Sequence, residues 1–140
     1  MGELKGEKNG YVRDNELEGN FINGLKEGYI KEYYNGKLIF EGEYLKDKRN
    51  GKGKEYNSES GLIFEGKYIN EVRNGKGKEY DDTGKIKFEG EFLNGKLNGL
   101  GKEYYPNKKI KYIGEFLEGK WNGKGTEYFK MVKLNLKENL

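Results

Sequence analysis

Apolar and polar residues alternate with period two along most of the chain, as in Phe64-Glu65-Gly66-Lys67-Tyr68-Ile69, and the alternation breaks at short polar clusters. Such alternation, interrupted at Asn23-Gly24, Asn35-Gly36, Asp82-Thr83-Gly84 and Asn94-Gly95, predicts short antiparallel strands joined by hairpin turns. A helical reading is disfavoured, because glycines sit inside every phrase and each would cost a helix about 1 kcal/mol relative to Ala. The pattern also repeats. Phe40, Phe64, Phe88 and Tyr112 open copies of one phrase at a spacing of 24 residues, and a second phrase, Asn50-Gly51-Lys52-Gly53-Lys54-Glu55-Tyr56, returns at 74–80, 98–104 and 122–128. An earlier, shorter copy begins at Leu17. Residues 1–16 therefore read as a degenerate N-terminal repeat or cap, 17–130 as an array of about five hairpin units, and 131–140 as a C-terminal cap or tail.

Turn chemistry proposes a register. A two-residue type I′ turn at Asn94-Gly95 pairs Phe92 with Leu97, Gly90 with Gly99 and Phe88 with Gly101. A four-residue loop over Asp81 to Gly84 then pairs Gly75 with Gly90, Lys76 with Glu89 and Gly77 with Phe88. Carried along the array, these pairings make one row of structural glycines, Gly42, Gly51, Gly66, Gly75, Gly90, Gly99, Gly114 and Gly123. A second row alternates ring and glycine, from Phe40 and Gly53 to Tyr112 and Gly125. A slip of two residues would leave every side chain on its present face, so the faces are better determined than the register.

On one face, rings can lie across bare backbone and restore burial that a glycine-rich strand lacks. Tyr44, Tyr68, Phe92 and Phe116 stand beside these rows, then Arg49, Arg73, Leu97 and Trp121, with Leu62, Ile86 and Ile110 on the far side. The expected result is a glycine-floored, aromatic-walled trough. The opposite face carries Glu41, Lys52, Glu65, Lys76 and Glu89 in a transverse row of alternating sign, broken at Leu100 and Ile113. Such cross-strand pairs contribute about 0.2–1 kcal/mol each.

Composition narrows the chemistry. The chain has 140 residues, 36% of them charged, yet its 12 Tyr, 7 Phe and 1 Trp are more than a disordered segment carries. With no cysteine and no histidine, the usual zinc, haem, iron–sulfur and disulfide chemistry is not expected, and no cofactor is assigned. A net charge of +3 from 27 basic and 24 acidic groups is too mixed to indicate a nucleic-acid partner. The N-terminus lacks the apolar stretch of a secretory signal and has Gly6 where a myristoylation signal wants Ser or Thr, so a cytoplasmic location is the default expectation. Glu55, Glu79, Glu103 and Glu127 share the trough side, but acid–base catalysis needs carboxylates in different environments and these positions are near-copies. The Gly-x-Gly phrases precede no helix and so lack the means to cradle phosphate. No catalytic residues are assigned.

The repeats resemble MORN repeats, whose pattern runs aromatic-x-Gly-x-aromatic, a turn, Gly-x-Gly and a later aromatic. Phe64-Glu65-Gly66-Lys67-Tyr68, Gly75-Lys76-Gly77 and Tyr80 match it residue by residue, and the likeness extends from Leu17 to Tyr128. Departures are the 24-residue spacing, Asp47 and Glu71 at the expected turn glycine, and Lys108 at the second turn. The resemblance implies an all-β, elongated, single-layer antiparallel meander of stacked hairpins. Five units would span about 48 Å at a strand spacing of about 4.8 Å. It also implies a scaffold for protein interaction or membrane association.

These readings converge on a noncatalytic adaptor that binds a polypeptide along the aromatic trough. Phe40, Tyr44, Phe64, Tyr68, Phe88, Phe92, Tyr112, Phe116 and Trp121 would make the contact, while Arg49 and Arg73 pair acidic groups of the partner. The alternative is a peripheral membrane module for anionic phospholipids such as phosphoinositides. Its densest basic patch is Lys108, Lys109 and Lys111, and no cluster of 4 to 8 basic residues supports it. At the C-terminus, Phe129, Val132, Leu136 and Leu140 share a helical stripe, whereas Val132, Leu134 and Leu136 alternate as a strand does, so either could cap the array. Uncapped edges would favour a homodimer through β-pairing.

Overall fold

The computed structural model describes residues 8–59 and 61–130. Eleven antiparallel strands follow one another in chain order across one open sheet, and there is no helix among the described residues. They are β1 (Gly10–Arg13), β2 (Leu17–Ile22), β3 (Leu25–Tyr34), β4 (Lys37–Leu45), β5 (Lys48–Asn57) and β6 (Gly61–Ile69). Next come β7 (Val72–Tyr80), β8 (Ile86–Leu93), β9 (Lys96–Tyr104), β10 (Ile110–Leu117) and β11 (Lys120–Glu127). The stretch read as a degenerate first unit contributes β1, paired along β2. The expected C-terminal cap, whether helix or strand, lies outside the described residues.

The tight turns have the predicted chemistry. Asn94 and Gly95 take φ of +50° and +89°, the left-handed pair that a type I′ turn requires. Asp47 and Glu71 adopt the same conformation at +72° and +78°, although a non-glycine residue there costs about 1–2 kcal/mol. Their carboxylates offset that strain by accepting backbone N–H groups from the preceding hairpin, Lys26 at 3.1 Å and Arg49 at 3.0 Å. The backbone N–H groups of Asp47 and Glu71 donate in return to the carbonyls of the same two residues. Each turn is thereby tied to the hairpin before it.

The register differs from the expected one by two residues. Phe92 does pair with Leu97, but Asn98, Gly99 and Leu100 then face Glu91 alone, so Gly90 pairs with Gly101 instead of Gly99. The longer connection slips likewise: Tyr80 pairs with Ile86, a residue bulges on β8, and Gly77 faces Gly90 in place of Gly75. The continuous row is accordingly Gly42, Gly53, Gly66, Gly77, Gly90, Gly101, Gly114 and Gly125. Gly51, Gly75, Gly99 and Gly123 occupy the bulges, at φ between +82° and +109°. The two glycines of each Gly-x-Gly thus serve different needs, a left-handed bulge first and a close approach of backbone and ring second. Phe40, Phe64, Phe88 and Tyr112 correspondingly pair with Glu55, Glu79, Glu103 and Glu127, not with glycines.

The face assignment survives the slip for the rings and glycines, but Leu62, Ile86 and Ile110 do not share that face: the bulge pairs them with Tyr56, Tyr80 and Tyr104, whose hydroxyls reach Glu41, Glu65 and Glu89 on the other side. A Cβ added to Gly66 would lie 2.6 Å from the Gly77 Cα and 2.8 Å from Cζ of Phe64. One added to Gly53 would lie 2.7 Å from the Phe40 Cζ and 2.9 Å from Cε1 of Tyr68. Rings therefore rest directly on the backbone and form the buried core of a one-layer protein. Gly66→Val should unfold the central units, whereas Gly36→Ala, in an open turn at φ +75°, should cost only about 1–2 kcal/mol. Thermal melts compare them, and equal melting temperatures would contradict this packing.

Candidate interaction surface

The ring face is a closed layer. Phe40 and Phe64 are fully buried, Tyr68, Phe92, Phe116, Tyr44 and Tyr112 are at most 5% exposed, and Phe88 is half-buried. Each opening ring meets the second ring of the next unit edge-on: Phe40–Tyr68, Phe64–Phe92 and Phe88–Phe116, with centroids 5.4, 5.1 and 6.3 Å apart. A flat group then covers it. The Arg49 guanidinium lies 3.8 Å above Phe40, that of Arg73 lies 4.0 Å above Phe64, and Trp121 stacks on Tyr112 at 4.4 Å. The expected open trough over these rings is filled by the rings and their lids, because glycine leaves room for a ring to lie down on the floor. Trp121, 37% exposed, is the most accessible aromatic of the set.

Both arginines are engaged within the array. Arg73 donates from Nε and Nη2 to the Glu55 carboxylate at 2.8 and 3.1 Å and from Nη1 to Glu79 at 3.1 Å. Arg49 pairs with Glu32 at 3.6 Å. In the last unit Trp121 donates its indole N–H to Glu103 at 2.8 Å. The glutamates are thus anchors for the lids, a role the expected register hid by placing glycine opposite each phenylalanine. Their recurrence 17 or 18 residues before the lid was the available signal. Burial alone would raise the Glu55 carboxyl, but hydrogen bonds from Arg73 and Tyr68, with the charges of Arg73 and Arg49, outweigh it and hold the group below its ordinary value.

The opposite face is open. Its charged row runs Glu41, Lys54, Glu65, Lys78, Glu89 and Lys102, so Lys54 and Lys78 stand where Lys52 and Lys76 were expected, and Ile113 ends the alternation. The carboxylates of this row accept tyrosine hydroxyls. Tyr56 and Tyr29 donate to Glu41, Tyr80 to Glu65 and Tyr104 to Glu89. Burial, then these carboxylates, push the Tyr80 and Tyr104 phenols up to about 12. A second row holds Lys52, Lys67, Lys76, Glu91 and Leu100. Between the two rows runs a furrow of about 950 Å³, floored by the glycine row and crossing β4 to β10. Beyond it, at the turn margin of the same face, Ile22, Leu45, Ile69, Leu93 and Leu117 recur once per hairpin, each 47–54% exposed. This aliphatic row was present in every repeat of the sequence, directly after the second ring.

The Glu55 cluster generates two expectations. Arg73→Ala leaves two carboxylates without their main donor and should destabilise the fold by about 1.5–3 kcal/mol, measured by denaturant melts; no loss would contradict the lid role. A carboxyl depressed in the fold contributes stability that is present above its unfolded value and is lost as pH falls. Acidification from about pH 5 to about pH 3 should therefore lower the melting temperature less in Glu55→Gln than in the wild type. Parallel curves would remove Glu55 from the account.

A sequence model of the MORN repeat matches residues 18–29, 40–59, 64–86, 88–109 and 112–131, more than half of the chain. No curated protein matches it. MORN repeats are in general noncatalytic modules for protein or membrane interaction. Five matched segments laid over one meander of stacked hairpins place the chain in the MORN repeat family.

Proposed function

We propose that this chain is a noncatalytic scaffold that binds a partner polypeptide along the glycine-floored furrow and the aliphatic row beside it. The observation that carries the reading is a whole sheet face with no covering layer among the described residues, on which half-exposed aliphatic side chains recur at every hairpin. The buried rings lie against the glycine floor of the furrow from the other face. Their accessible margin, Trp121 with the edges of Arg49 and Arg73, offers a lesser contact on the other face. Of the recurring carboxylates Glu55, Glu79, Glu103 and Glu127 on the ring face, the first three are bonded to arginine, tyrosine or tryptophan donors. Among the described residues no strand covers the outer edge of β11, all eight residues of which are exposed, and that edge could pair with a second copy.

Among the described residues no helix is long and apolar enough to cross a membrane. A peripheral lipid-binding role is the competing reading, and the two are separated directly. A photo-crosslinker at Leu100, which is 70% exposed in the furrow wall, should capture a polypeptide in extract of the native source, while one at Lys85, in the loop before β8, should not. Flotation with anionic vesicles should leave the protein unbound. Salt-sensitive flotation without a cross-linked polypeptide would replace this reading with the lipid one.

A further inference from the structure

The two charged rows flanking the furrow differ in a way that identifies what it holds. The row through Glu41 alternates sign at every strand from Glu41 to Lys102. In the other, Lys52 and Lys67 are directly opposed across β5 and β6, and Lys76 on β7 follows, facing Glu91 on β8, with all three lysines exposed. Like charges directly opposite one another destabilise a sheet. None of the ion pairs among the described residues involves these three lysines.

Position 67 is also where the repeat forgoes a stabilising contact. The equivalent residues in neighbouring units are Glu43, Glu91 and Glu115. Glu43 Oε2 accepts the backbone N–H of Lys52 at 2.6 Å, and Glu115 Oε2 accepts that of Lys124 at 2.6 Å, so in two of these three units the glutamate ties down the bulge on the next strand. Lys67 cannot accept that bond and adds a third positive charge to the row. Farther along the furrow two aliphatic side chains enter its walls, Leu100 on β9, opposite Glu115, and Ile113 on β10, 70% and 36% exposed.

We propose that the furrow takes an acidic, extended segment of a partner protein, with its carboxylates over Lys52, Lys67 and Lys76 and an aliphatic side chain against Leu100 and Ile113. The proposal rests on the scaffold reading above and gives its partner a chemistry. The segment runs across the strands. From β5 to β7 is about 10 Å and from β7 to β9 about as much again, or roughly three extended residues for each stretch. A fitting segment therefore has acidic residues followed, about three to four positions on, by a large aliphatic one.

The test uses a fluorescent peptide of about eight residues, acidic at one end and with two leucines at the other, titrated into the full chain by anisotropy. It should bind, more weakly as salt rises, and Lys67→Glu should weaken it by about tenfold or more. The same substitution should raise the melting temperature of the free protein, because it relieves the facing Lys52 and restores the acceptor that Glu43 provides in the preceding unit. A control peptide with lysines in place of its acids should not bind. Equal binding of both peptides, indifference to Lys67→Glu, or a lower melting temperature in that variant would overturn the proposal. So would binding to phosphatidylserine vesicles but not to the acidic peptide. A furrow that cross-links a partner but ignores acidic charge defeats this inference alone, whereas one that cross-links nothing defeats the scaffold reading beneath it.

Discussion

Contact between an aromatic ring and bare backbone is the constraint on which this protein depends. A single-layer sheet has no second layer to bury its apolar side chains, so its core must be made within one face. Phe64 does this by lying across Gly66 and Gly77, with its Cζ 2.8 and 2.6 Å from where their Cβ atoms would be. A methyl group at either glycine would occupy the space of the ring. The next unit supplies the edge-on neighbour, Phe92, and Arg73 closes the top. Each unit needs the one after it to finish its own packing, which is why hairpins of this kind occur as arrays.

That solution separates the faces. Rings pressed onto the glycine floor leave one side nearly sealed, and the same row of side-chain-free backbone becomes the bottom of a furrow on the other. The lid position changes along the array from Lys26 through Arg49 and Arg73 to Leu97 and Trp121. On the open face the charged row likewise gives way to Ile113. The lids of the ring face thus pass from charged to apolar toward β11, whereas on the open face Ile113 is followed by Thr126 and Leu100 by Glu115, so the change of chemistry along the array is greatest on the ring face.

Much of the fold was legible because it depends on local pattern. Alternation placed the rings of Phe40, Phe64, Phe88 and Tyr112 on one face, and Asn94-Gly95 announced its turn and the Phe92–Leu97 pair. The bulges were not legible. Gly75 and Gly77 look alike in the sequence, and only their backbone angles show that the first bends the strand and the second lies under a ring. The resulting slip of two residues keeps the rings and glycines on their face but exchanges partners, bringing Glu55 and Glu79 opposite the phenylalanines and within reach of Arg73. Whether the rings stand as walls or lie flat was equally hidden, since period two fixes the face of a side chain and not its tilt. The open surface consequently lies on the side of the alternating charged row.

The most direct measurement is a nuclear Overhauser map of the ring and glycine protons in solution. The account predicts contacts from the Phe64 ring to the α-protons of both Gly66 and Gly77, and from the Phe40 ring to those of Gly42 and Gly53. Contacts to Gly75 and Gly51 in their place, or rings without any glycine contact, would contradict it.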